Sequence, residues 1–222
     1  MSTKVSAALL LLVLLPFGTS AQAAIITFDF LGTAGSDLDE LSTGSTSATV
    51  GGITLTLNAV AQVAGNTGEF NQNGVTPDDF GINAGGADAS DALDGQNGVE
   101  SILFSISSSE PLSALTLDSF DFDRITPTGM DSGSLTFDGG STITFDNDGV
   151  SGNDVLTVNE SLALGQNFTL SFVAGNGFGL ETLTLTATAV PEPSSLLALS
   201  CVGLACVVRL RRKSHQAKSA TL

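Results

Sequence analysis

Apolar residues recur at every second position along most of this chain. The segment Ile25-Ile26-Thr27-Phe28-Asp29-Phe30 opens the series, and 52–57, 101–106, 115–123, 155–158, 168–173 and 180–188 repeat the same alternation. Two more alternating pieces, 135–137 and 143–145, flank Asp138-Gly139-Gly140-Ser141, a hairpin signal. A period of two sends one face of each strand into a core and leaves Thr, Ser and Asp outside. About nine strands are predicted, with no convincing amphipathic helix and no repeat of fixed period. The expected fold is all-β, a single antiparallel β-sandwich of jelly-roll-like type. The Gly-, Asn- and Asp-rich stretch 65–98 is too long for a simple turn and reads as either a functional or a mobile loop.

The two ends follow other rules. Lys4, an apolar run over 5–17 and the small-residue exit Ala21-Gln22-Ala23 have the order of a secretory signal peptide. Residues 1–23 are therefore expected to be removed by signal peptidase between Ala23 and Ala24; an uncleaved anchor is the alternative. Near the other end stand Val190-Pro191-Glu192-Pro193, an apolar run over 196–208, and Arg209, Arg211, Arg212 and Lys213. The run alone covers about 20 Å as a helix, against ~30 Å of hydrocarbon. Counting from Pro193 to Leu210, with Arg209 snorkelling, brings a C-terminal transmembrane helix near spanning length. The basic cluster keeps 214–222 in the cytoplasm, so the body, 24–188, lies outside.

Charge sharpens this division. The formal net charge is −16, yet residues 24–188 hold 22 acids and a single base, Arg124. Such a body repels nucleic-acid phosphates and anionic lipid and attracts divalent cations. Cys201, Cys206 and His215 all lie in the tail, and the chain has no Trp or Tyr. The body thus has no disulfide, no Ser-His-Asp or Cys-His chemistry, no Schiff-base lysine and no imidazole zinc site. Paired carboxylates for glycoside hydrolysis remain, but acids are too abundant to single out a pair.

Four further features call for comment. Arg124 is an anion clamp or an ion-pair partner at a sheet edge. The run Asp88-Ala89-Ser90-Asp91-Ala92-Leu93-Asp94-Gly95-Gln96-Asn97-Gly98-Val99-Glu100 puts hard oxygen ligands on a glycine-bearing loop, as calcium requires. Asp94 and Glu100 are the first candidate ligands and Asp91 the next; solvated turn acids are the alternative. Asp146-Asn147-Asp148-Gly149 begins like an EF-hand loop but lacks its closing Glu. Thr182, Thr184, Thr186 and Thr188 form one row that either orders water or is simply the solvent face of a strand.

The C-terminal segment resembles the PEP-CTERM sorting signal, through Val190-Pro191-Glu192-Pro193, the 196–208 run and Arg209, Arg211 and Arg212. The resemblance, over 189–213, implies a substrate of exosortase, anchored transiently in the membrane, cut near Pro191-Glu192-Pro193, and delivered to the cell surface or medium of bacteria that secrete exopolysaccharide. In the body, 94–106 is similar to a D-G-x-x-x-x-E-x-hydrophobic-x-F segment of a group of such proteins, as is the close, 167–168 and 177–185. That likeness implies a shared sandwich and no activity. The expected protein is an exported, non-enzymatic surface or matrix component associated with exopolysaccharide. A calcium-dependent carbohydrate-binding module and a glycoside hydrolase are the alternatives.

Overall fold

A computed structural model of the chain describes residues 21–30, 38–64, 66–72, 80–85, 92–123, 131–146 and 155–190. Those residues form thirteen β-strands and no helix. In chain order they are β1 (Ala23–Asp29), β2 (Thr43–Val50), β3 (Ile53–Val63), β4 (Asn66–Thr67), β5 (Glu69–Gln72), β6 (Phe80–Asn83), β7 (Glu100–Ser108), β8 (Leu112–Asp123), β9 (Ser132–Phe137), β10 (Thr142–Asp146), β11 (Val155–Ser161), β12 (Asn167–Ala174) and β13 (Gly179–Ala189). All nine strands expected from alternation are present.

The strands make two antiparallel sheets. One runs β11-β8-β13-β6-β5, with β1 also paired to β13; the other runs β10-β9-β12-β7-β3-β2, with β4 on β3. Alternation explains each face. Along β3, Ile53, Leu55, Leu57, Ala59, Ala61 and Val63 are buried, while Thr54, Thr56, Asn58 and Val60 are half-buried and Gln62 is exposed. A two-residue turn closes the β2–β3 hairpin. Gly51 and Gly52 carry φ of 60° and 81° between β2 and β3, a primed turn whose twist suits the flanking strands.

The inward faces of both sheets share one core. Every phenylalanine of the body belongs to it; all are buried except Phe145, which packs against the cluster half-buried. Rings cross from sheet to sheet. Phe120 of β8 lies 6.4 Å from both Phe104 of β7 and Phe168 of β12, and Phe122 stacks on Phe145 of β10 at 4.9 Å. Each large apolar side chain so buried contributes about 1.5–3 kcal/mol.

Two regions depart from the sequence expectation. Residues 43–50 form a full strand, and the 65–98 stretch holds β4, β5, β6 and a segment docked by the Leu93–Phe178 bridge. The described parts of that stretch are thus built into the sheets. Ala23 and Ala24 both lie in β1, opposite Thr188 and Ala187. The transmembrane runs, Arg124, Asp91, Asn147-Asp148-Gly149, Pro191-Glu192-Pro193, Arg209, Arg211 and Arg212 lie outside the described residues. Among the described residues no helix is long and apolar enough to cross a membrane.

Candidate functional site

Three buried acids stand where the beginnings of β7, β9 and β13 converge. Asp94, Glu100 and Asp131 are 2%, 0% and 1% exposed, in a protein whose other described acids sit at or near the surface. Glu100 is the first residue of β7, Asp131 immediately precedes β9, and Asp94 lies next to Leu93, which bridges to Phe178 just ahead of β13.

The segment from Ala92 to Glu100 is held by backbone bonds at both ends. Leu93 N–H donates to Phe178 O at 2.7 Å and Phe178 N–H returns to Leu93 O at 3.1 Å. The Ile82 amide donates to Ala92 O at 3.2 Å, and the Ala64 amide to Val99 O at 3.0 Å. Asn97, at φ 59°, donates through Nδ2 to Gly85 O at 2.7 Å. A left-handed Asn is affordable here because its side chain is engaged locally.

Inside this frame the carboxylates accept hydrogen bonds from amides. Asp94 N–H donates to Glu100 Oε2 at 2.9 Å. Asp94 Oδ1 accepts from Gln96 N–H at 2.6 Å, and Oδ2 from Gln96 Nε2 at 3.1 Å. Across the junction, Asp131 Oδ1 accepts from Asn176 N–H at 2.5 Å. A buried polar group left without a hydrogen bond is costly, and these amides meet that need. The Gly175-Asn176-Gly177 loop lies between two of the acids. A Cβ on Gly175 would overlap Asp131, and one on Gly177 would stand 2.8 Å from Asp94 Cβ. Both glycines also have positive φ, 108° and 109°, so the loop closes on the acids only without side chains.

An open cleft of about 460 Å³ lies beside this junction. Asp94, Gln96, Asn176 and Phe172 supply its chemistry, and Gly95 keeps it open, since a Cβ there would come within 2.9 Å of the Phe172 ring. It combines amide donors and acceptors with a carboxylate edge and one aromatic wall, the equipment for a small polar ligand.

Asp94 and Glu100, picked from sequence as candidate ligands, are brought together. Among the described residues, no three His, Cys, Asp or Glu side chains are grouped as a metal site. The sequence reading missed Asp131, which no periodic pattern marks. The threonine row is real: Thr182, Thr184, Thr186 and Thr188 alternate with buried Leu183, Leu185 and Ala187. Two of its hydroxyls are engaged by neighbouring strands, Thr184 with Thr27 at 3.2 Å and Thr186 with Asp118 Oδ2 at 2.7 Å.

Residues 189–213 match the model of the PEP-CTERM protein-sorting motif. The match begins on Ala189, the last residue of β13. No curated protein matches this chain. The motif marks an exported protein targeted to an exosortase and bound for the cell envelope or surface.

Proposed function

We propose that this is a non-enzymatic surface or matrix protein, held in the membrane by its C-terminal run until exosortase cuts near Pro191-Glu192-Pro193, and afterwards associated with secreted exopolysaccharide. The observation that carries the proposal is the sorting motif that starts on the last residue of a compact body, Ala23–Ala189. In this reading residues 1–23 are a signal peptide cut between Ala23 and Ala24, the 196–208 run is a membrane helix, and the body is a jelly-roll-like sandwich. The single core shared by two sheets supports the last element. Proline on both sides of Glu192 disfavours a helix there, the property expected of a segment that a membrane-embedded protease is to cut. The test is processing in the producing bacterium. Glu192→Ala, or removal of Arg209, Arg211 and Arg212, leaves the full-length form in the membrane fraction. Unchanged processing in both variants refutes the tag reading, and absence of the processed body from the exopolysaccharide fraction refutes the matrix role.

The cleft beside Asp94 favours a second reading, a calcium-dependent carbohydrate-binding module. Here Asp94 and Glu100, with Asp91, supply the hard oxygen ligands that a structural calcium takes, and Gln96, Asn176 and Phe172 face the sugar. A divalent ion that binds only the native form stabilises it by about 2.7 kcal/mol at a hundredfold excess over Kd. The test is the melting temperature in chelator, calcium and magnesium at fixed ionic strength, with a glycan array alongside. A calcium-selective rise, abolished by Asp94→Asn or Glu100→Gln and accompanied by saturable glycan binding, supports this reading. Equal responses to both ions reduce the acids to structural hydrogen-bond acceptors.

A further inference from the structure

We propose that β2 is a self-association edge, on which a second copy of this chain adds its own β2 antiparallel to the first. β2 ends its sheet, and no described strand pairs with its far side. The direction of its backbone groups follows from its neighbours. The Ala61 amide donates to Ser42 O, one step before the β2–β3 ladder, so even-numbered residues of β2 exchange bonds with β3. Thr54, opposite Thr49, instead accepts through its carbonyl from Ser109 N–H on the far side of β3, as this alternation requires. Thr43, Ser45, Ser47 and Thr49 therefore point their N–H and C=O groups away from the sheet. A row of outward amides and carbonyls at strand spacing is a template for one kind of occupant, another extended strand.

Proteins protect such edges, and this one protects its others. β11 carries Glu160 and a register shift between Thr157 and Glu160. β5 is four residues long and begins with Glu69; β10 has five and ends with Asp146; β1 ends with Asp29. β2 has none of these devices. It is eight residues, Thr-Gly-Ser-Thr-Ser-Ala-Thr-Val, paired to β3 without a register shift and free of charge and proline.

Charge restricts where a second copy can dock. With 22 acids and one base, two bodies repel each other on most approaches, and an uncharged strand is a place where they can meet. An antiparallel pair about a two-fold axis through Thr46 sets Ser45 opposite Ser47 of the second copy and Thr43 opposite its Thr49, so outward-pointing groups meet outward-pointing groups. Asp39 and Glu40, which precede β2, then face the Gly51-Gly52 turn of the other copy rather than its acids. The exposed side chains of Thr43, Ser45, Ser47 and Thr49 continue the hydroxyl-bearing outer face of the sheet, where Ser47 already meets Thr56 at 2.8 Å and Thr49 meets Thr54 at 2.9 Å.

The experiment is sedimentation velocity on the full chain in a neutral detergent, over a protein concentration series in ~0.1 M and ~1 M sodium chloride, between which the Debye length falls from ~10 to ~3 Å. The expected result is a dimer that grows with concentration and is favoured by salt, because screening removes repulsion while the strand pairing stays. Ser47→Pro removes an outward N–H and leaves the β3 ladder intact. Ser47→Lys places a charge on each side of the two-fold pairing. Both variants are expected to sediment as monomers at every concentration, with the wild-type melting temperature. Should Ser47→Pro unfold, Ser47→Lys at this exposed position decides alone. A wild-type monomer in both salts overturns the proposal, and so does a dimer that persists in Ser47→Lys.

Discussion

Asp94 and Glu100 are bonded twice in opposite senses: the Asp94 amide donates to Glu100 Oε2 at 2.9 Å, and the Glu100 amide donates to the Asp94 carbonyl at 3.2 Å. The first residue of β7 and the loop that leads into it thereby close a ring. Because Leu93 also bridges to Phe178, this ring ties the start of a strand in one sheet to the approach of a strand in the other.

Truncating either member should therefore loosen the junction. Glu100→Ala removes the acceptor of a buried amide and leaves a hole at the start of β7, an expected loss of about 2–4 kcal/mol. Glu100→Gln keeps an acceptor oxygen and should cost less than half as much. Urea denaturation of the two variants measures the difference, and equal losses would mean that volume rather than the hydrogen bond matters.

Gly177 should be among the least replaceable residues of the body. At φ 109°, with a would-be Cβ at 2.8 Å from Asp94 Cβ and 2.9 Å from Leu93 O, Gly177→Ala is expected to lose about 2 kcal/mol or more. Gly52 offers the contrast, with φ 81° and open space around its Cβ position. Gly52→Asn should shift stability by about 0.5–1 kcal/mol at most, since Asn tolerates left-handed backbone. Thermal melts of the pair check the ranking.

Glu110 supplies a pH dependence outside the buried cluster. The Ser109 hydroxyl, at 2.5 Å, and then the Thr54 amide, at 3.2 Å, hold its carboxyl below the ordinary glutamate value of 4.5. A depressed folded-state pKa stabilises the native form above pH 4.5, and that contribution fades as pH falls through the folded value. The melting-temperature gap between wild type and Glu110→Gln should be present at neutral pH and shrink progressively below pH 4.5.

Much of the architecture was legible because it rests on alternation. Strands such as β3 and β13 bury every second residue, and the pattern survives in the sequence as Ile, Leu and Phe against Thr and Ser. β2 was not legible for a physical reason: its inward positions are Gly44, Thr46 and Ala48, too small or too polar to register as an apolar face. β4 to β6 are two to four residues long and held by their neighbours, so local pattern carries little of their information. At the site, residue type was enough to nominate Asp94 and Glu100. Asp131 escaped because its partner, the Asn176 amide, is 45 residues away and contributes only backbone.

The pairing of Ala24 with Ala187 joins residues from opposite ends of the body, and β13, flanked by β1 and β8, is the strand that receives β1. Bringing such distant segments together costs loop-closure entropy before any contact repays it, so this pairing belongs late in folding. It is also late in synthesis, since β13 is the last of the described strands that the ribosome completes. Until Ala189 is delivered, β1 has no neighbour in its sheet and β8 has only β11. The order of strands along the chain thus sets an order of closure: the sheet that holds β1 and β8 is joined only once β13 has been made.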